Sequence, residues 1–109
     1  MSVLEISPLV NGAGLKLAGE LDLATVSQLK EALLDFASTD AVHLDLSELF
    51  FLDSAGLHAI LALARSRLGD GSVVLLNPSS AVLRVLEIVD IERHAVIDVR
   101  TSKAEAAVA

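Results

Sequence analysis

A chain of 109 residues has room for one hydrophobic core and is too short for two domains. Although 53% of it is hydrophobic, its longest nearly unbroken apolar run, Ala59 to Ala64, falls far short of a spanning helix, so membrane insertion is not expected. A formal net charge of −7, with eight basic residues that never cluster, excludes the basic footprint that direct nucleic-acid binding requires.

In chain order, the mostly apolar Val3 to Val10 predicts a first strand, and Asn11-Gly12-Ala13-Gly14 a turn. Leu15 to Leu21 alternates apolar with polar or small residues and completes a β-hairpin. Val26, Leu29, Leu33 and Phe36 recur at spacings of three and four, the stripe of an amphipathic helix, with Thr25 and Gln28 placed as a capping box. Val42, Leu44 and Leu46 alternate with His43 and Asp45, which predicts a strand over Ala41 to Leu46 followed by a short loop. Leu57, Ile60, Leu61, Ala64 and Leu68 form a second helical stripe, stopped by Gly69-Asp70-Gly71. Ser72 to Leu76 reads as a strand, Asn77-Pro78 punctuates it, and Ser79 or Ser80 caps a third helix carrying Val82, Leu83, Leu86 and Val89. Ala95 to Val99 is the last strand, and the Ala-rich tail from Thr101 to Ala109 suits a short helix or a frayed end.

Two strands followed by alternating helix and strand predict one α/β domain, with a mixed sheet, right-handed crossovers and helices mainly on one face. The three histidines, His43, His58 and His94, are scattered and cysteine is absent, so no metal site is expected. Gly12-Ala13-Gly14 lies in a hairpin turn and no phosphate-binding loop pattern occurs, so no nucleotide or other cofactor is expected. The N-terminus shows no secretory pattern, and a cytoplasmic location is the expectation.

The chemistry-bearing segment is Leu44 to Leu57, where a strand leads into a helix whose start carries Asp53, Ser54, Ala55 and Gly56 in succession. Ser54 suits either an N-cap or an accessible hydroxyl, and the small Ala55-Gly56 pair leaves room for another protein to approach. Ser54 and His58, four residues apart, share a helix face as a nucleophile and base would. The nucleophile-elbow pattern is absent, however, and no third group orients His58, so independent enzymatic activity is not expected.

Phe51-Leu52-Asp53-Ser54-Ala55-Gly56-Leu57, preceded by Leu44-Asp45-Leu46-Ser47, resembles the signature of STAS domains, and Gly19-Glu20-Leu21-Asp22 resembles their other marker. The resemblance spans the whole chain as a single STAS domain, residues 1–109 with a core over about 3–100. It implies an anti-sigma factor antagonist, in which the serine after the aspartate is phosphorylated by an anti-sigma factor serine kinase and restored by a PP2C-type phosphatase. The unphosphorylated antagonist binds the kinase and frees a sigma factor. By that resemblance Ser54 is the phosphorylation site, and Asp22, Asp53, Ser54 and Gly56 form the partner-binding surface, extended by Phe50 if it is exposed. Ala55 departs from relatives that carry a second hydroxyl there, leaving Ser54 as sole acceptor.

The plainer roles are helix capping for Ser54, Asp53 and Asp22. Of Phe50 and Phe51, strand alternation expects one inside and one outside. The same family also implies alternatives: a subunit of a lipid-transfer ABC transport complex, a transporter tail, or a signalling scaffold that is never phosphorylated.

Overall fold

The structure, a computed structural model, describes residues 1–10, 12–36, 41–66, 72–91 and 97–101. The expected helix stop at Gly69-Asp70-Gly71, the first residues of the last strand and the Ala-rich tail beyond Thr101 lie outside the described residues. Five strands, β1 (Leu4–Pro8), β2 (Gly14–Leu21), β3 (Val42–Leu52), β4 (Val73–Leu76) and β5 (Ile97–Arg100), alternate after the opening hairpin with α1 (Val26–Ala32), α2 (Ser54–Ser66) and α3 (Ser80–Ile88). The strands lie in sequential order across one sheet, with β1 antiparallel to β2 and every later pair parallel. Sequential parallel strands whose crossovers share one hand place all three helices on the same face. None of the described helices is long and apolar enough to cross a membrane.

Register explains which side chains meet the helices. Leu4 and Ile6 pair with Gly19 and Leu17, Leu15 with Leu44, and Val42 with Val73, which pairs in turn with Ile97. Apart from Gly19, these residues pack on the inner face in one core with Leu29 of α1, Ile60, Leu63 and Ala64 of α2, and Val82 and Leu86 of α3. Each fully buried leucine among them contributes about 1.5–3 kcal/mol of transfer free energy. Glu5, Lys16, Ala18, His43, Asp45 and Glu48 face the other way, onto a side no described helix covers. There Lys16 pairs with Glu48, whose carboxylate raises the lysine pKa by hydrogen bonding and charge.

The third strand is longer than its alternation predicts, running through Ser47 to Leu52 where a loop was expected. Its register against β2 slips twice: Lys16 and Ala18 pair with Asp45 and Glu48, then Gly19 and Glu20 with Leu49 and Phe51. Each slip inserts one extra residue into β3, a β-bulge. Inward residues are therefore spaced by three, Leu46, Leu49 and Leu52, all buried. Beyond Asp45, β3 has no β4 partner, and Ser79 takes that place. Its amide donates to the Leu46 carbonyl at 3.3 Å and its hydroxyl to the Leu49 carbonyl. The same Ser79 oxygen accepts from the Val82 amide, so the expected cap of α3 also fastens that helix to the bulged strand.

The first helix is shorter than its stripe. After Ala32 the chain tightens into a 3-10 turn over Leu33–Asp35, and Phe36 is extended yet still packs on the core. The Thr25–Gln28 capping box does not form, because the Thr25 side chain makes no cap hydrogen bond to α1.

Candidate functional site

Leu21 and Leu52 are paired neighbours at the carboxyl ends of β2 and β3, so the chain leaves the sheet at Asp22 and Asp53 side by side. The Asp53 amide donates to the Leu21 carbonyl at 3.3 Å, holding the two exits together.

At the first exit, Asp22 Oδ1 accepts from the amides of Ala24 at 3.0 Å and Thr25 at 3.2 Å, while the Asp22 amide donates to Thr25 Oγ1 at 3.0 Å. This is a reciprocal capping box displaced three residues upstream of the expected one, with aspartate as its cap and threonine closing it. The Thr25 hydroxyl donates to the Glu20 carbonyl at 2.8 Å, which ties the box to the end of β2. Asp22 Oδ2 accepts from the Ser2 hydroxyl. That hydrogen bond, with those from Thr25 and the Ala24 and Thr25 amides, holds the Asp22 carboxyl below the usual carboxylate range, against the opposing effect of burial. Asp22 is buried and both of its carboxylate oxygens are engaged within the fold, in the capping role that was its plainer reading.

At the second exit, Asp53 Oδ1 accepts from the Gly56 amide at 2.9 Å, and the Asp53 carbonyl accepts from the Leu57 amide at 2.9 Å. Asp53 is therefore the N-cap of α2, and Ser54 is the first residue inside the helix. Its other oxygen, Oδ2, accepts from the Leu23 amide at 3.4 Å, joining the two loops. Ser54 is exposed, and among the described residues its hydroxyl makes no hydrogen bond. His58 is exposed as well, and no hydrogen bond links it to Ser54.

Gly56 is buried, unlike Ser54. A Cβ there would stand 2.5 Å from the Leu21 carbonyl oxygen and 2.8 Å from a Leu52 methyl. The missing side chain lets α2 pack against the end of β2, and this replaces the expectation that it leaves room for a partner.

Both phenylalanines are outside, Phe50 at 63% and Phe51 at 46% exposure, because the second bulge falls between Leu49 and Leu52 and breaks strand alternation. Leu23, at 77% exposure, is a third exposed apolar side chain at this end of the sheet. Among the described residues no group of three or more His, Cys, Asp or Glu is placed to hold a metal ion.

The structure thus brings Asp22, Asp53 and Ser54 to one corner, with Gly56 beneath. Sequence reasoning missed Thr25 as the partner of Asp22, although the spacing Asp22-Leu23-Ala24-Thr25 carries that signal. Nothing local to Ser2 announces its contact with Asp22, twenty residues away.

A family model described as Mlab, STAS domain matches residues 9–99. Among solved structures, the fold is similar to a Thermotoga maritima protein, tm1081, described as a candidate anti-sigma factor antagonist: 21% identity, 95% of this chain and 91% of that one, TM-score 0.68. It is also similar to the anti-sigma factor antagonist SpoIIAA in its unphosphorylated form, at 22% identity over 95% of this chain and 93% of that one, TM-score 0.64. With a family match running from the hairpin turn to the last strand, through both capped exits and all three helices, the chain belongs to the STAS domain family.

Proposed function

We propose that this protein is an anti-sigma factor antagonist that acts in the cytoplasm, binds an anti-sigma factor serine kinase, and is released when the kinase phosphorylates Ser54. The observation that carries this reading is the division of labour at the start of α2. Asp53 caps the helix, which leaves the adjacent Ser54 hydroxyl exposed and unbonded as an acceptor. The likeness to tm1081 and SpoIIAA supports the same role.

A phosphoserine carries about −1.5 to −2 charges, and a helix N-terminus favours it by roughly 0.3–1 kcal/mol. The Asp53 carboxylate next to it acts in the opposite sense: a like-charge pair at about 4 Å costs on the order of 4 kcal/mol at an effective dielectric near 20. The phosphate therefore turns outward, and its effect falls on a docked partner through repulsion and desolvation. A PP2C-type phosphatase would restore the hydroxyl.

The test is incubation of wild type and Ser54→Ala with candidate anti-sigma kinases and Mg-ATP, read by intact mass and by complex formation. Phosphate added to wild type alone, with release from the kinase, is the expected result. Binding without phosphorylation would leave an unphosphorylated signalling scaffold.

A second reading, a STAS subunit of a lipid-transfer ABC transport complex, is favoured by the matched family model, whose description is Mlab and not the antagonist role. Stoichiometric copurification with an ABC-type ATPase, and no phosphorylation by any candidate kinase, would decide for it.

A further inference from the structure

We infer that the helix-free face of the sheet carries a docking groove for an arginine- or lysine-bearing segment of a partner protein, a surface that goes beyond the Ser54 switch and does not depend on it. Glu5, Ala18 and Glu48 stand side by side across β1, β2 and β3. The small Ala18 between two glutamates makes a trough whose walls lie two strand spacings, about 10 Å, apart. Val3 and Phe50 close one end, at 55% and 63% exposure, and Glu20 adds a third carboxylate. Together with Gly19 these residues line a groove of about 510 Å³.

Three features point to a cationic occupant with an apolar stem. The lining carries three carboxylates and no basic residue. Among the described residues, those of Glu5 and Glu20 make no ion pair or side-chain hydrogen bond. Lys16, two residues along β2 from Ala18, already pairs with Glu48 from the open end, so the fold itself places one ammonium on this row. Phe50 supplies the apolar contact. The second bulge turns it out of the core beside Glu20 and Glu48, where its ring face suits a guanidinium or ammonium. An arginine or lysine stem laid across Ala18 and Gly19 would bury against Val3 and Phe50 and carry its charge to Glu5 and Glu20.

The test uses a library of random linear peptides displayed on phage and selected on immobilised wild-type protein. The recovered peptides are then synthesised and titrated against wild type, Phe50→Ser, Glu5→Gln/Glu20→Gln and Glu31→Gln. Urea unfolding of each variant confirms that it is folded. The expected consensus places Arg or Lys beside an apolar residue. Binding should weaken at least about tenfold in Phe50→Ser and in the double glutamine variant, and weaken further with added salt. Glu31→Gln, which removes an exposed carboxylate from α1 on the helix-covered face, should bind as wild type does and so localises binding to the open face. Recovery of no peptides, a neutral or acidic consensus, or unchanged affinity in the folded Phe50→Ser variant would each overturn the proposal.

Discussion

The Asp53 carboxylate accepts from the Leu23 amide across thirty residues of sequence, so one side chain both caps α2 and holds the loop that leads into α1. Ser54, its neighbour, does neither.

That contrast gives the first prediction. Asp53→Ala should lose about 1 kcal/mol of stability, the usual cost of removing an N-cap, and Ser54→Ala should stay within about 0.5 kcal/mol of wild type. Urea denaturation measures both. A loss of about 1 kcal/mol in Ser54→Ala would mean that the serine hydroxyl supports the helix and is not held in reserve.

Gly56→Ala should be among the more damaging single-methyl additions in the chain. Alanine ordinarily improves a helix by about 1 kcal/mol over glycine. Here its Cβ would meet backbone oxygen at 2.5 Å, and overpacking of this kind costs about 1–3 kcal/mol. The net expectation is destabilisation, with the start of α2 pushed away from Leu21. A variant as stable as wild type would refute the close approach of α2 to β2.

Stability on the acid side should depend on Asp22. Its folded-state pKa lies below the unfolded value, so the stabilisation it provides is complete above about pH 4 and is lost as pH falls through the lower folded value. Asn is itself a good N-cap, so Asp22→Asn keeps much of the cap but removes the titration. The variant should show a shallower loss of unfolding free energy as the pH falls below about 4. Equal slopes for variant and wild type would show that Asp22 has no part in the acid limb.

Phosphorylation of Ser54 should leave the sheet undisturbed. In amide NMR spectra the shifts should gather at residues 21–24 and 53–57, the two loops that Asp53 joins. Large shifts in β4 and β5 would point to a refolding switch instead.

The order of elements was legible in the sequence because each segment keeps one period: two in Leu15 to Leu21, three to four in Leu57 to Ala64. The second half of β3 was not, since two bulges space Leu46, Leu49 and Leu52 by three, a pattern that resembles neither strand nor loop. The same bulges defeated the reading of Phe50 and Phe51 as one inside and one outside. At the site, residue identities were legible and their roles only in part. Asp22, Leu23, Ala24, Thr25 and Gln28 contain two overlapping box spacings, and only the upstream pair forms. The buried state of Asp22 depends on Ser2, and that of Gly56 on the Leu21 carbonyl, contacts that no local pattern announces.

The spacing of three in β3 also separates two kinds of selection along a single strand. Leu46, Leu49 and Leu52 answer to the interior, while the two residues in each interval between them lie on the surface. Phe50 and Phe51 can therefore be exchanged for other side chains with the domain keeping its interior intact. Such a strand lets the outer surface of the sheet vary in sequence while the interior that specifies the fold stays fixed.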